Sequence, residues 1–341
     1  GIMLFGRNRV GEGLHMLATA IVAGGTLFSA FWILSVNSWM QTPQGYSVNA
    51  QGQFVPEDWL AIIFNPSFPY RFSHKLLAST LTASFLIAGL CAWQLLKGSA
   101  TRGTHKAMRS AVAVAVVAMP LQFLAGDMHG LNTLQHQPAK VAAMEGVWRT
   151  ESGAPLLLFA VPDEATRSNH LEIAIPKLAS LILTHDPNGT IRGLDEFKGA
   201  HPPVKPVFYG FRVMVGTGVL MGVAAFVGLG LLWRRRWAAE ALPRWLLWPL
   251  AGMAFSGWVA TLAGWYVTEV GRQPFIVYGA LRTADVASAV PSPQIALTLA
   301  LYVTLYAGLL VAYVGVVRRL ADKPESALLP PGRALPSRAY A

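Results

Sequence analysis

"FYGFRVMVGTGVLMGVAAFVGLGLLW", residues 208–233, is a long apolar run in which Arg212 is the sole charged residue. A helix rises 1.5 Å per residue, so about 20 apolar residues are enough to cross the hydrocarbon core of a bilayer. Its several glycines do not argue against a helix, because membrane helices tolerate glycine better than soluble helices do. The stretch therefore predicts a transmembrane helix.

Five further stretches have a similar length and apolarity: 13–36, 75–97, 107–126, 245–268 and 293–318. The whole chain of 341 residues is 53% hydrophobic and only 13% charged, a composition typical of membrane proteins and not of soluble globular ones. We therefore predict an all-α fold, a polytopic membrane bundle with six transmembrane helices.

The net charge of +10 raises the possibility of a nucleic-acid-binding surface, but the positions of the basic residues favour another interpretation. Most of them lie before the first span, in the second and fourth connections and after the sixth span: Arg7, Arg9, Lys97, Arg102, Lys106, Arg109, Arg234, Arg235, Arg236, Arg244, Arg318, Arg319 and Lys323. The first and fifth connections are nearly free of Lys and Arg. By the positive-inside rule, both termini are predicted in the cytoplasm, and no nucleic-acid partner is expected.

The third connection is much longer than the others and holds many of the acidic residues. It contains apolar patches such as "PLLLFAV", so part of it should pack as structure. The predicted organisation is therefore three spans in 1–126, an extracytoplasmic loop in 127–207, three spans in 208–318 and a cytoplasmic tail in 319–341.

Three potential iron ligands come to similar depth near the outer face when this topology is applied. His74 lies at the outer end of the second span, Met214 within the first two turns of the fourth, and Glu269 at the outer end of the fifth. A His–Met pair is an axial ligand set for low-spin haem that raises the iron potential. A carboxylate could ligate a second, high-spin iron, with Arg272 one turn away to offset its charge.

Each of these residues also has an ordinary structural interpretation. An interfacial histidine is often just hydrogen-bonded, and a methionine in a span usually packs in the core. Glu269 and Arg272 could form a structural ion pair, and Trp265 could anchor the helix at the interface. Two alternatives therefore stand beside a haem protein: a multispan transporter with an intramembrane ion pair, and a haem-free remnant.

Five motifs together resemble subunit I of the cytochrome bd-type quinol oxidases, in the order that this family has them. "NSWMQTP" (37–43) is similar to its N-x-WMQ-x-P element, and "GWYVTEVGRQPF" (264–275) to its GW-x3-E-x-GRQPW element. "FSHKLLAS" (72–79) and "FRVMVGTG" (211–218) resemble the segments bearing its haem histidine and methionine. "KVAAMEGVW" (140–148) resembles the start of its quinol-binding loop.

The resemblance implies a role for each matching residue. His74 and Met214 would be the axial ligands of a low-spin haem b that takes electrons from quinol. Lys140 and Glu145 would lie in the quinol loop and act in quinol binding and oxidation.

At the second haem site, the resemblance implies that Glu269 is an axial ligand of a high-spin haem pair, with Trp265 beside it. Arg212 and Arg272 would neutralise haem propionates or hold the site. The pair would be a second haem b with a haem d, or with a further haem b.

The implied function is a terminal respiratory oxidase that oxidises quinol at the outer face of the bacterial inner membrane. Electrons would pass through haem b to the high-spin pair, which reduces O2 to water. The implied partners are subunit II, a small single-span subunit, and ubiquinol or menaquinol.

The sequence departs from the family pattern in several ways. The GRQPW element ends here in Phe275, which lacks an indole N–H. The family has about three further spans before the position of Gly1, including a histidine ligand of the high-spin site, so the chain is expected to be N-terminally truncated and inactive alone. The loop resembles the short type found in cyanide-insensitive oxidases. His129 and His136 flank it and are expected at the surface.

Overall fold

The computed structural model describes residues 1–6 and 9–322, and it contains the six predicted spans. The helices long and apolar enough to cross a membrane are Glu12–Trp39, Phe68–Lys97, Arg102–His136, Val204–Arg234, Arg244–Val270 and Ser292–Arg319. Arg7, Lys323 and the rest of the predicted tail up to residue 341 lie outside the described residues.

The described part of the chain is mostly helical and contains four small two-stranded antiparallel sheets. The α-helices are α1 (Ile2–Phe5), α2 (Glu12–Trp39), α3 (Trp59–Ile63), α4 (Phe68–Lys97), α5 (Arg102–His136), α6 (Pro138–Glu145), α7 (Leu178–Thr184), α8 (Val204–Arg234), α9 (Arg244–Gly252), α10 (Ser256–Val270) and α11 (Ser292–Asp322). The strands are β1 (Tyr46–Val48), β2 (Phe54–Pro56), β3 (Glu151–Ser152), β4 (Leu156–Asp163), β5 (Ser168–Ile175), β6 (Thr190–Ile191), β7 (Phe275–Val277) and β8 (Leu281–Arg282).

Helix α5 extends ten residues past the predicted end of the third span, to His136. It begins at a capping box, in which Thr101 and Thr104 satisfy each other's backbone N–H groups. Beyond the apolar stretch, the polar side chains still find partners, since Asn132 accepts a 2.9 Å hydrogen bond from the Ser67 hydroxyl. The connection to the fourth span therefore starts near Gln137, because polar residues continue a helix wherever the fold pairs them.

The fifth span is broken in the middle into α9 and α10 by a 3₁₀ turn at Met253–Phe255. The sequence around the break contains Pro249 and Gly252, which interrupt helices readily. The turn packs directly on α4, where a Cβ added to Gly89 would lie 2.6 Å from the Ala254 Cβ. The break thus brings α10, the second half of the fifth span, close to α4.

Four helices form the centre of the fold, because α5 and α10 each pack against both α4 and α8. A buried apolar cluster, which includes Leu81, Phe85, Met108, Met119 and Leu250, fills the interior away from the polar residues discussed below. Helices α2 and α11 lie outside this centre, and their apolar faces are largely exposed.

Connections alternate between two ends of the bundle, as the charge pattern predicts. At one end, called here the basic side, Lys97 at the end of α4 pairs with Asp322 at the end of α11, with 2.9 Å between Nζ and Oδ1. At the other end, called the loop side, the Tyr278 N–H donates to the Met40 carbonyl at 2.9 Å. The Gln137 amide, at the start of the long loop, donates to the Gln41 carbonyl at 2.9 Å.

The long loop on the loop side is folded, as its apolar patches predict. Its β4–β5 hairpin covers the end of α6: the Trp148 indole N–H donates to the Asn169 Oδ1 at 2.8 Å, and the Asn169 amide donates to the Gly146 carbonyl at 2.9 Å. Gly146 caps α6 with φ of 69°, a conformation that favours glycine.

Candidate functional site

His74 lies in the second turn of α4 and faces α5. Its Nδ1 is 3.3 Å from Nδ1 of His129, and its Cε1 lies over Gly126, where an added Cβ would be 3.7 Å away. The expectation that His129 lies at the surface is wrong, because α5 continues past it and turns its ring toward α4. A second hydrogen-bonding group on one ring nitrogen is the usual way in which a metal-binding histidine is oriented.

Met214 lies in the third turn of α8, not the first two, because α8 begins at Val204, four residues earlier than predicted. Its sulfur faces α10, where a Cβ added to Gly264 would lie 2.9 Å from Sδ. The next residue, Trp265, has the Lys75 Nζ 5.8 Å from its ring centroid. Lys75, the neighbour of His74, and Met214 therefore meet adjacent residues of α10, Trp265 and Gly264.

Glu269 lies nearer the loop side than this level, by about 7.5 Å for five residues of helix. Its Oε1 accepts a 2.8 Å hydrogen bond from the Asn37 amide, and its Oε2 is 2.6 Å from Nη2 of Arg272. The ion pair considered from the sequence is thus present, and Asn37, from the end of α2, is an unforeseen third member.

Arg71 is a second residue that the sequence did not single out. It lies on α4 one turn before His74, is 7% exposed, and its Nη1 is 3.4 Å from the Asn37 Oδ1. Within the described part of the chain, its Nε has no hydrogen-bond partner, and the same holds for Nε and Nη1 of Arg272. The signal for it in the sequence is a basic residue one helical turn before the candidate haem histidine.

Lys140 and Glu145 both lie on α6 and are buried, with exposed fractions of 2% and 4%, so they are not ordinary surface charges. The Lys140 ammonium donates to the Gln41 Oε1 at 2.7 Å, and its stem packs on Gly271, where an added Cβ would lie 3.0 Å from Cγ. Burial lowers the pKa of Lys140 well below its ordinary range; Arg71 and Arg272 add to this, and Glu269 opposes it.

Glu145 points to the opposite side of α6 and pairs with Arg212 of α8, at 3.1 Å between Oε2 and Nη2. The other two nitrogens of Arg212 donate to the carbonyls of Leu157, at 2.9 Å, and Met144. Burial raises the pKa of Glu145, and the charge and hydrogen bond of Arg212 act against this rise. All three nitrogens of Arg212 are thus engaged by the loop.

A cleft of about 470 Å³ opens on the loop side next to the Lys140 partner Gln41. Its lining combines polar and aromatic groups from the first and fifth connections and the end of α5: Gln41, Thr42, Pro43, Gln44, Tyr46, Pro66, His136, Tyr278, Gly279 and Ala280. His136 therefore borders a cavity and is half-buried, where the sequence predicted a surface position.

The residues present fit haem on three observations. An imidazole and a thioether are axial ligands that haem iron takes, and the Glu269 carboxylate is an oxygen ligand for a second iron. Gly126 and Gly264 keep the surroundings of the first two low in bulk. The unpartnered N–H groups of Arg71 and Arg272 are suited to propionate carboxylates, which arginine binds through paired hydrogen bonds.

Comparisons with known proteins agree with the motifs. The family described as "Cytochrome bd terminal oxidase subunit I" matches residues 1–325. The chain is 33% identical to cytochrome bd ubiquinol oxidase subunit 1 of Bacillus subtilis, over 84% of this chain and 62% of that one. It is 29% identical to cytochrome bd-II ubiquinol oxidase subunit 1 of Escherichia coli, over 96% of this chain and 76% of that one.

The fold is likewise similar to a solved structure, that of the bd oxidase from Geobacillus thermodenitrificans. The TM-score is 0.83 at 34% identity, and the match covers 95% of this chain and 74% of that one. The transporter alternative finds no support in these matches. The chain spans less than two thirds of the B. subtilis relative. Matching order of motifs, six spans and fold together identify this multi-pass membrane chain as a member of the cytochrome bd terminal oxidase subunit I family.

Proposed function

We propose that this chain is the haem-bearing subunit of a quinol:oxygen oxidoreductase, and that its loop side is where quinol is oxidised. The observation that carries the proposal is the pairing of Glu145 with Arg212. It ties the buried acid of the loop to the turn of α8 that also carries Met214. The residue that holds the proposed proton acceptor and the candidate haem ligand are thereby two positions apart on one helix.

His74 and Met214 are the proposed axial ligands of a low-spin haem b, and Glu269 is the proposed ligand at a high-spin site with Trp265 beside it. The second site would hold a further haem b with haem d, or haems b alone. When bound, these haems would supply the electron transfer and the reduction of O2 to water. The protein's own contribution is to hold the ligands, to orient His74 through His129 and to compensate the charge of Glu269.

Quinol oxidation releases two electrons and two protons, and the chain supplies a proton acceptor. We assign that role to Glu145, because a carboxyl with a raised pKa is a better base near neutral pH than an exposed one. Arg212 orients the carboxylate and keeps it ionised. Lys140, held by Gln41 beside the cleft, would bind the quinol headgroup, since an ammonium or neutral amine can bond to its oxygens.

The position in the cell and the assembly follow from the same proposal. We place the chain in the bacterial inner membrane with the loop side outward and both described ends on the cytoplasmic side. Subunit II, together with a small single-span subunit, would complete the oxidase, and ubiquinol or menaquinol would be the donor.

The test is oxygen consumption by membranes that contain the intact oxidase, assembled with subunit II in a host without other terminal oxidases. We expect oxygen uptake on addition of short-chain ubiquinol or menaquinol, and its loss in the Glu145→Gln variant. No uptake with either quinol, in membranes that carry a full haem complement, would refute the proposal.

A further inference from the structure

The cations around Glu269 outnumber the carboxylates. Glu269 uses both oxygens, one for Asn37 and one for Arg272. Arg71 reaches this group only through the amide oxygen of Asn37, at 3.4 Å, and no carboxylate lies within 4.0 Å of it among residues 1–6 and 9–322. One carboxylate thus faces two guanidinium groups, and arginine does not lose its proton in proteins.

Such an imbalance is costly where Arg71 lies. Its exposed fraction is 7%, and a buried charge without a partner costs several kcal/mol. The stem of Lys140 packs on Gly271, the residue before Arg272, so a further basic side chain adjoins these charges. The cluster is therefore arranged to receive an anion.

The chemistry of the unpartnered groups favours one kind of anion. They are Nε of Arg71 and Nε and Nη1 of Arg272, and the planar guanidinium group to which such nitrogens belong suits a carboxylate. Arg71 lies one turn from His74, on the loop side of it, and connects through Asn37 to Glu269. Arg212, the other arginine near a candidate ligand, has all three nitrogens engaged by the loop and Glu145.

Resting on the proposed function, we propose that Arg71, together with Arg272, binds a propionate carboxylate of a bound haem, between the His74 level and Glu269. Arg71 is then a binding residue for the cofactor, and Asn37 positions both it and Glu269. Arg212 in turn serves the quinol loop.

The test uses the intact oxidase with haem carboxylates labelled with ¹³C through labelled 5-aminolevulinate. Infrared redox-difference spectra of labelled and unlabelled enzyme isolate the propionate bands. We expect Arg71→Gln to shift the label-sensitive band and to lower the midpoint potential of the nearby haem, because a buried positive charge favours the reduced form. Arg71→Lys, which keeps the charge but loses the planar fork, should shift the band less.

Arg109→Gln is the matched control: its Nε is also buried without a partner in the described chain, but it lies at the basic side.

The outcomes separate this inference from the proposed function. Wild-type enzyme without haem would overturn both. A normal haem complement with an unshifted label-sensitive band in Arg71→Gln would overturn the inference alone. If Arg71→Gln does not assemble, an unshifted band in Arg71→Lys has the same meaning. An Arg71-dependent band that ignores the label but responds to exchange of chloride for phosphate would show a free anion in place of a propionate, and would also overturn it.

Discussion

Oε2 of Glu145 lies 3.1 Å from Nη2 of Arg212, and this buried pair joins the long loop to the α8 segment that carries Met214. Both side chains are largely withdrawn from solvent, with exposed fractions of 5% and 14%. The pair therefore links the proposed site of quinol oxidation to the turn of α8 that carries a proposed ligand of the low-spin haem.

Loss of the Glu145 carboxylate should slow quinol oxidation. In Glu145→Gln the shape is kept but the proton acceptor is lost, and we expect quinol-dependent oxygen uptake to fall by at least about tenfold. Uptake driven by an artificial electron donor to the haems should change less. Glu196→Gln is the control, since Glu196 pairs with Arg192 in the same loop at the surface. Equal losses in both assays would indicate a folding defect and count against the assignment.

The pH dependence of quinol oxidation should report Glu145. Only the ionised carboxylate accepts a proton, and burial raises its pKa above 4.5, so activity should fall with decreasing pH sooner than for an exposed glutamate. Arg212→Gln removes the group that opposes this rise, so the acid limb of kcat/KM should move to higher pH. A limb unmoved in this variant would argue that another group titrates.

The raised pKa of Glu145 also has a consequence for the stability of the protein. Because the folded-state pKa of Glu145 exceeds the unfolded value, the folded state binds this proton more tightly. The contribution of this bound proton to the free energy of unfolding is full below the pKa of the unfolded state. It is lost as the pH rises through the pKa of the folded state. Glu145→Gln should therefore flatten the decline of melting temperature across that window, measured in detergent, and an undiminished decline would be inconsistent with a buried titrating carboxyl.

The contact between Lys140 and Gln41 should stabilise the junction of α6 with α2. Gln41→Leu leaves a buried ammonium without its acceptor, which should cost about 1–3 kcal/mol and weaken quinol binding. Thermal unfolding and the KM for quinol measure the two effects. Gln53→Leu, at an exposed amide that accepts from Asn49, is the control and should alter neither. Unchanged stability and KM in Gln41→Leu would show that this contact is dispensable.

The contact of Met214 with Gly264 should be sensitive to a single methyl group. In Gly264→Ala the new Cβ would lie 2.9 Å from Sδ, so the sulfur must move. We expect a shift or loss of the low-spin haem band. Gly230→Ala on α8, the helix that carries Met214, meets open space and should leave the spectrum as in wild type. A normal band in Gly264→Ala would place the sulfur elsewhere.

Apolar runs predicted the six spans because length and hydrophobicity suffice to specify a membrane helix. They did not predict the far end of α5 or the start of α8, since those helix ends depend on polar contacts such as that of Asn132 with Ser67. Motifs located His74, Met214 and Glu269, but not Arg71 or His129. The roles of these two arise from contacts between helices distant in sequence, which a local pattern does not contain.

The central claim is that His74 and Met214 ligate a low-spin haem, and the reduced-minus-oxidised optical spectrum of the purified oxidase tests it most directly. The account predicts a low-spin α-band in wild-type protein, its loss in His74→Ala, and a lowered midpoint potential in Met214→Leu, which keeps the volume but not the sulfur. A low-spin band that persists unchanged in both variants would contradict the account.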